Sequence, residues 1–155
     1  MIRWERGRAE VEQLLQQGRL TPVHASSDLA TEYIATARTR LAAAETIRAL
    51  DPAGAFVLTY DAARLALAAI LINQGLRPRG DGAHALLLDV VLAQLEPPRQ
   101  AEFREFAWMR RLRNDTQYPD ADRPSATADD LSQALPAAKA IIDRAETLLP
   151  HMPAF

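Results

Sequence analysis

The densest run of arginines in the sequence begins at Arg99, ends at Arg113 and is the part best suited to chemistry. Five arginines stand there against Glu102 and Glu105, a local excess of three positive charges. A planar guanidinium donates two parallel hydrogen bonds to phosphate oxygens, so a partly dry arginine cluster is suited to holding a phosphate. Charge alone favours a simpler alternative, a solvated helix face whose arginines pair with carboxylates one turn away.

The spacing within this segment predicts one helix with a polar stripe. At ~100° per residue the stripe carries Arg104, Trp108, Arg111, Asp115 and Tyr118. Apolar residues flank it on both sides, namely Phe103, Phe106 and Ala107 on one side and Met109 and Leu112 on the other. Two apolar flanks predict two packed surfaces, one inside a helical bundle and the other against a second subunit.

The remaining candidates for chemistry are weaker. His24, His84 and His151 are isolated from one another and from clustered carboxylates, so neither a metal site nor a cofactor is predicted. His84 follows a glycine-rich loop, and a cap or surface role is favoured there over a functional contact. The loop, Arg77–Gly82, lacks the Gly-Lys-Ser/Thr of a phosphate loop and is better explained as a flexible connection than as an anion site.

Length and composition indicate one ordinary globular domain. The chain has 155 residues, 48% of them hydrophobic and 25% charged, with a formal net charge of -2 and no cysteine. This balance argues against a disordered chain, a general DNA-coating protein, disulfides and thiolate chemistry. The charged amino terminus and the absence of a long uninterrupted apolar run predict a cytoplasmic protein that makes no membrane contact.

Hydrophobic periodicity predicts helices throughout and no convincing strand. They are expected at Trp4–Gln17, from an N-cap at Ser27 to a terminating turn at Asp51–Gly54, and at Ala55–Gln74, Ala83–Leu95 and Arg99–Tyr118. The last helix is expected from an N-cap at Thr127, with Asp130 three residues on as its capping-box partner, to Pro150, with Pro136 inside it. Loops are expected at Leu20–Ala25 and Gly75–Gly82. The fold class is all-α, an antiparallel up-and-down bundle of about five to six helices. It forms a single domain over 1–155, with an N-terminal helix and loop at 1–26, the bundle core at 27–150 and a tail at 151–155.

The third predicted helix is apolar nearly all round, which is typical of the central helix of a bundle. Tyr60 belongs to its apolar stripe and is expected in the core. Asp61 and Arg64 are its two charged residues. Because an unpaired buried charge is costly, we expect a pairing between this helix and the arginines of the Arg99–Tyr118 helix, for which Asp61 supplies the carboxylate.

Several of these segments together resemble the HEPN family. The resemblance rests on the stretch Tyr60–Leu71, on Gly75–Pro78 and His84, and on Arg113-Asn114 followed by Tyr118, and it extends over roughly Leu29 to Leu149. It implies an up-and-down bundle of four to five helices that dimerises, with the motif helices meeting across the two-fold axis. Many HEPN proteins are metal-independent ribonucleases, and many are toxins encoded beside a nucleotidyltransferase antitoxin.

The sequence departs from the family at the residue that transfers protons. HEPN nucleases carry an arginine, a polar residue after it, and a histidine four to six residues further on. If Arg113 is that arginine, Tyr118 takes the histidine position; if it is Arg111, Thr116 takes it and Tyr118 matches a family tyrosine. Neither register supplies an imidazole, and tyrosine and threonine are poor substitutes near pH 7.

The resemblance implies a degenerate ribonuclease site at a dimer interface. Its candidate catalytic residues are Arg111, Arg113, Asn114 and Tyr118, with Arg104, Arg110, Asp115 and Thr116 as binding residues. The arginines would hold the scissile phosphate, in which case the protein is a metal-independent endoribonuclease of a toxin-antitoxin or stress and defence system. The alternative is a non-catalytic module that binds RNA, a nucleotide or a partner protein, and a third possibility is a purely structural dimer. Expected partners are a second copy, RNA and a cognate nucleotidyltransferase antitoxin, for which Tyr118 is a conceivable modification site.

Overall fold

The computed structural model describes residues 4–155 and confirms an all-α bundle. Its helices are α1 (Arg8–Gln16), α2 (Ser27–Ile47), α3 (Pro52–Gln74), α4 (Ala83–Leu95), α5 (Ala101–Arg104), α6 (Phe106–Gln117) and α7 (Ala128–Leu148), followed by a 3-10 turn at Leu149–His151. The long helices α2, α3 and α7 pack together through extensive contacts. Residues 1–3 of the predicted N-terminal segment lie outside the described residues.

Side-chain caps set the starts of the three longest helices. The Ser26 hydroxyl accepts a hydrogen bond from the Leu29 N–H, so the N-cap of α2 is Ser26 and the prediction of Ser27 was wrong by one residue. Asp51 caps α3 and Pro52 occupies its first turn, where a missing N–H costs nothing; the prediction that this turn ended α2 was therefore wrong. The predicted capping box of Thr127 and Asp130 at α7 is confirmed.

Two segments predicted as loops instead pair as a short antiparallel ribbon. Strand β1 (Leu20–Pro22) lies beside β2 (Leu76–Pro78), with Leu20 opposite Pro78. Three residues are too few for the alternation that marks a strand in a sequence, and the partners are far apart in the chain. The ribbon fixes the segment before α2 against the start of the connection between α3 and α4.

The predicted single helix Arg99–Tyr118 is broken in two at Glu105. Glu105 itself keeps helical backbone angles, φ -57° and ψ -28°, so the chain continues to turn through the break. Phe103 and Phe106, on either side of it, are both fully buried. Because the hydrophobic period runs on across the break, the sequence pattern could not reveal it.

Helix α3 is central, as predicted, and lies against α2, α4, α6 and α7. Although Asp61 and Arg64 interrupt its apolar run, its length and composition would also let it cross a membrane, but 72% of its most apolar window is buried in the bundle. Asp61 does not pair with the α6 arginines as predicted. It forms ion pairs with Arg40 of α2 and with Arg64 one turn along α3, both of which are closer in the bundle.

A pair of buried amides joins the far ends of α3 and α4. Gln74 Nε2 donates to Gln94 Oε1 at 2.7 Å, and Gln94 Nε2 donates back to Gln74 Oε1 at 3.0 Å. Both side chains are almost completely buried. Each amide satisfies the other, so the pair sets the distance between the two helices.

Candidate functional site

The structure divides the eight predicted site residues into two groups. Arg110 and Arg113 lie half-buried along α6, and Asn114 is exposed beside them. Arg111 and Asp115 belong to the same helix, Arg111 being exposed and Asp115 half-buried.

Arg104, Thr116 and Tyr118 are placed elsewhere. Arg104 belongs to α5, where Nε and Nη2 bind the Glu96 carboxylate at 2.7 and 2.5 Å and lower the pKa of that carboxyl to about 2. The Thr116 hydroxyl accepts the Ala126 N–H at 2.9 Å, which ties the end of α6 to the segment before α7. Tyr118 is 76% exposed.

An imidazole, which the motif itself lacks, lies near the arginines of α6 and lines the same cavity as Arg110. His84, in the first turn of α4, is half-buried rather than on the surface, and its Nδ1 lies 2.9 Å from the hydroxyl oxygen of Tyr60 on α3. Tyr60 in turn stacks on Phe106, with ring centroids 5.2 Å apart. The Arg113 guanidinium carbon lies 5.5 Å from the centroid of the Tyr60 ring. Three helices therefore bring a hydrogen-bonded tyrosine and histidine close to Arg113.

Burial and positive charge determine the protonation of this pair. Burial raises the pKa of Tyr60 to about 12, although the nearby arginines, Arg113 first, oppose the shift. Burial, followed by the charges of Arg64 and Arg113, lowers the pKa of His84, with Asp61 opposing. Near pH 7 the phenol therefore keeps its proton and the imidazole is neutral.

A polar cavity of about 370 Å³, called here the α4–α6 cleft, opens next to His84. It is lined by Gly80, Asp81, Gly82, Ala83, His84, Ala85, Arg110 and Asn114. Gly82 offers no side-chain cap, and the N–H groups of Ala83, His84 and Ala85 have no acceptor among residues 4–155. Free N–H groups at a helix start attract anions. Asp81 is the one carboxylate in the cleft lining, and it is exposed.

The α6 arginines are not neutralised by carboxylates. Arg110, Arg111 and Arg113 form no ion pair within residues 4–155, whereas seven other arginines do. Arg113 Nε is also buried without a hydrogen-bond partner there. The alternative of a solvated face with carboxylates one turn away therefore does not describe these three residues, although it does describe other arginines in the chain.

A second cavity, called here the α3–α4 cavity, lies on the other side of His84. It measures about 400 Å³ and is lined by Tyr33, Arg64, Leu65, Ala68, Ile72, Leu76, Arg77, Pro78, Ala83, His84 and Leu87. Its walls are mainly apolar, and Ala83 and His84 also line the α4–α6 cleft. The two cavities therefore meet at the first turn of α4.

The pH dependence of stability tests the environment of His84. Its depressed pKa means that the unfolded chain binds the imidazole proton more readily, so stability falls as the pH drops below the unfolded value of ~6.5. We expect wild type to lose more stability than His84→Gln between pH 7.5 and 5.5 in urea unfolding. His24 and His151 are common to both proteins and cancel in the comparison. Equal losses would show that His84 titrates alike in folded and unfolded chains.

Comparisons with known proteins agree with this architecture. A family model described as HEPN domain matches residues 30–148, a span from α2 to α7 that contains both cavities. Neither the curated proteins nor the solved structures contain a match to the chain. Among the described residues no group of three or more His, Cys, Asp or Glu side chains could hold a metal ion.

Proposed function

The chain belongs to the HEPN domain family, and from that premise we propose that it binds the sugar-phosphate backbone of RNA in the α4–α6 cleft. The observation that carries the proposal is the pair Arg110 and Arg113, both half-buried and without a carboxylate partner among the described residues. Arg110 lines the cleft, and Arg113 lies against the ring of Tyr60, whose hydroxyl contacts His84 of the cleft lining. A buried guanidinium with no counter-charge is costly, and a bound phosphate supplies both the charge and the hydrogen-bond acceptors.

The other groups in the cleft are mainly hydrogen-bond donors. For phosphate binding, the tautomer that fits is the one in which Tyr60 donates to Nδ1 of His84 and the neutral imidazole carries its proton on Nε2. Nε2–H, the Asn114 amide and the free N–H groups of α4 all suit phosphate oxygens. Such contacts hold a backbone without reading its sequence.

Salt-dependent RNA binding by Arg113→Ala tests this proposal. We expect the variant to bind a fluorescent single-stranded RNA about tenfold more weakly than wild type, with a salt slope smaller by about one. Arg48→Ala is the matched control. It also removes one positive charge, but Arg48 lies at the end of α2 and lines neither the α4–α6 cleft nor the other cavity beside His84. Equal losses in the two variants would mean that only net charge matters and would contradict a specific site.

A second candidate, metal-independent cleavage of RNA, is favoured by the position of His84. Here the other tautomer operates, with Nδ1–H donating to the Tyr60 oxygen and Nε2 accepting the proton of a ribose 2′-hydroxyl. The 2′-oxygen bonds to phosphorus and the bond from phosphorus to the 5′-oxygen breaks. The 5′-oxygen takes a proton from water, and the hydroxide left behind takes the proton from Nε2, which restores the neutral imidazole. Arg113 would stabilise the added charge.

Cleavage of a mixed RNA pool in the presence of a chelator separates the two candidates. If the site is catalytic, wild type produces fragments ending in 2′,3′-cyclic phosphate, His84→Gln and Arg113→Ala do not, and Tyr118→Phe still does. If Tyr118→Phe alone abolishes cleavage, the exposed tyrosine rather than His84 occupies the histidine role. If wild type binds RNA but does not cleave it, the result supports the binding function and contradicts the catalytic one.

The family resemblance also supports a biological setting. We propose a cytoplasmic homodimer in a toxin-antitoxin or related defence system, paired with a nucleotidyltransferase antitoxin. The exposure of Arg111 and Tyr118 leaves both accessible to a second copy or a modifying enzyme. Light scattering on the purified protein tests dimerisation. Mass spectrometry after co-expression with a neighbouring nucleotidyltransferase tests modification of Tyr118.

A further inference from the structure

The α3–α4 cavity is a mainly apolar recess beside the central helix of the bundle. Leu65 and Ile72 each keep 8% exposure although they lie on the central helix. Its volume of about 400 Å³ falls in the range of small-molecule sites, about 300–1,000 Å³. The recess is therefore large enough for a ligand group.

Its position beside the cleft restricts what that group can be. His84 and Ala83 line both cavities, so a ligand that occupies both has an anionic part in the donor-rich cleft and an apolar part in the recess. A nucleotide has this form, with a phosphate joined through a ribose to a flat base. An apolar side chain of a partner protein fits less well, because it would fill the recess but supply no anion to the hydrogen-bond donors of the adjoining cleft.

The polar groups at the recess suit a planar ring. Arg64 Nε and Nη2 donate to Asp61 Oδ1 at 2.9 and 2.6 Å, and Asp61 is also paired with Arg40. This network fixes the plane of the Arg64 guanidinium before any ligand arrives. Bases stack on guanidinium planes and on aromatic rings, and Tyr33 supplies a ring on the same recess.

We propose that the α3–α4 cavity binds a nucleobase of the RNA strand whose phosphate lies in the α4–α6 cleft. The inference rests on the proposed RNA-binding function and adds a base subsite to it. Stacking and apolar contact in this recess contribute affinity that does not depend on salt, in contrast to the phosphate contacts.

Base-containing and abasic RNA of equal length distinguish the two subsites. We expect wild type to bind a short oligouridylate about tenfold more tightly than an abasic oligomer with the same number of phosphates. Ala68→Phe fills the recess from the half-buried face of α3 and should abolish this preference while leaving abasic binding unchanged. Arg113→Ala should weaken binding of both oligomers equally.

Two controls keep the outcomes distinct. Ala43→Phe places the same ring on an exposed position of α2 and should preserve the preference, and the smaller Ala68→Leu serves if Ala68→Phe fails to fold. Equal binding of both oligomers by wild type, or a preference that persists in folded Ala68 variants, would overturn the base subsite alone. Failure of wild type to bind either oligomer would overturn the proposed function as well. A change in oligomeric state in Ala68→Phe would identify the recess as a protein interface instead.

Discussion

Phe106→Ala is expected to lower the free energy of unfolding by about 3–5 kcal/mol, the usual cost of removing a fully buried phenyl ring. Phe106 has no exposed surface and begins α6 immediately after the break at Glu105. Its ring stacks on Tyr60 with an interplanar angle of 16°. The substitution therefore opens a cavity where α6 meets α3, directly under the Tyr60–His84 hydrogen bond.

Urea unfolding followed by circular dichroism measures this loss. Leu50→Ala is the surface control, because Leu50 is 88% exposed and its truncation should change stability by less than about 0.5 kcal/mol. Phe106→Leu keeps most of the apolar volume but removes the stacked ring. We expect Phe106→Leu to be folded yet to bind RNA more weakly, since Tyr60 then holds His84 less firmly. Wild-type affinity in that variant would show that the stacked ring does not position the site.

The sequence predicted those parts of the fold whose signals are local. The boundaries of α4 and the capping box of Thr127 with Asp130 were correct, because caps and helix periods depend on residues within one or two turns. The β1–β2 ribbon and the break at Glu105 were missed for the opposite reason. The first depends on a partner more than 50 residues away, and the second leaves the hydrophobic period intact.

The contrast between local and long-range signals also explains which parts of the candidate site could be predicted from the sequence. The density of arginines in one segment marks α6 as a candidate site, although charge alone favours the carboxylate pairing that these arginines lack. Arg110 lines the cleft, and Arg113 lies over the Tyr60 ring. His84 and Tyr60 both belong to the segments that resemble the family, but the local pattern predicts a cap or surface residue at His84 and a core residue at Tyr60. Their hydrogen bond joins positions 24 residues apart on different helices. No spacing rule within a single helix could have shown that an imidazole lies next to a tyrosine that contacts Arg113.

The second large effect is expected at the buried amide pair that holds α4 against α3. Gln94→Met removes both hydrogen bonds to Gln74 and leaves that amide buried without partners. An unsatisfied buried polar group costs roughly 1–3 kcal/mol, and the amide of Gln74 has both a donor and an acceptor to satisfy. We therefore expect the single variant to lose about 2–4 kcal/mol of stability by this rule.

The double variant Gln74→Met/Gln94→Met separates polarity from packing. Methionine has a similar length and no strong polar group, so replacing both amides removes the unsatisfied atoms and should restore stability to within about 1 kcal/mol of wild type. The two substitutions should thus be strongly non-additive in a double-mutant cycle. Additive losses would instead mean that each glutamine contributes by shape alone. Because α4 carries His84 at its other end, the single variant should also weaken RNA binding, and the double variant should recover it.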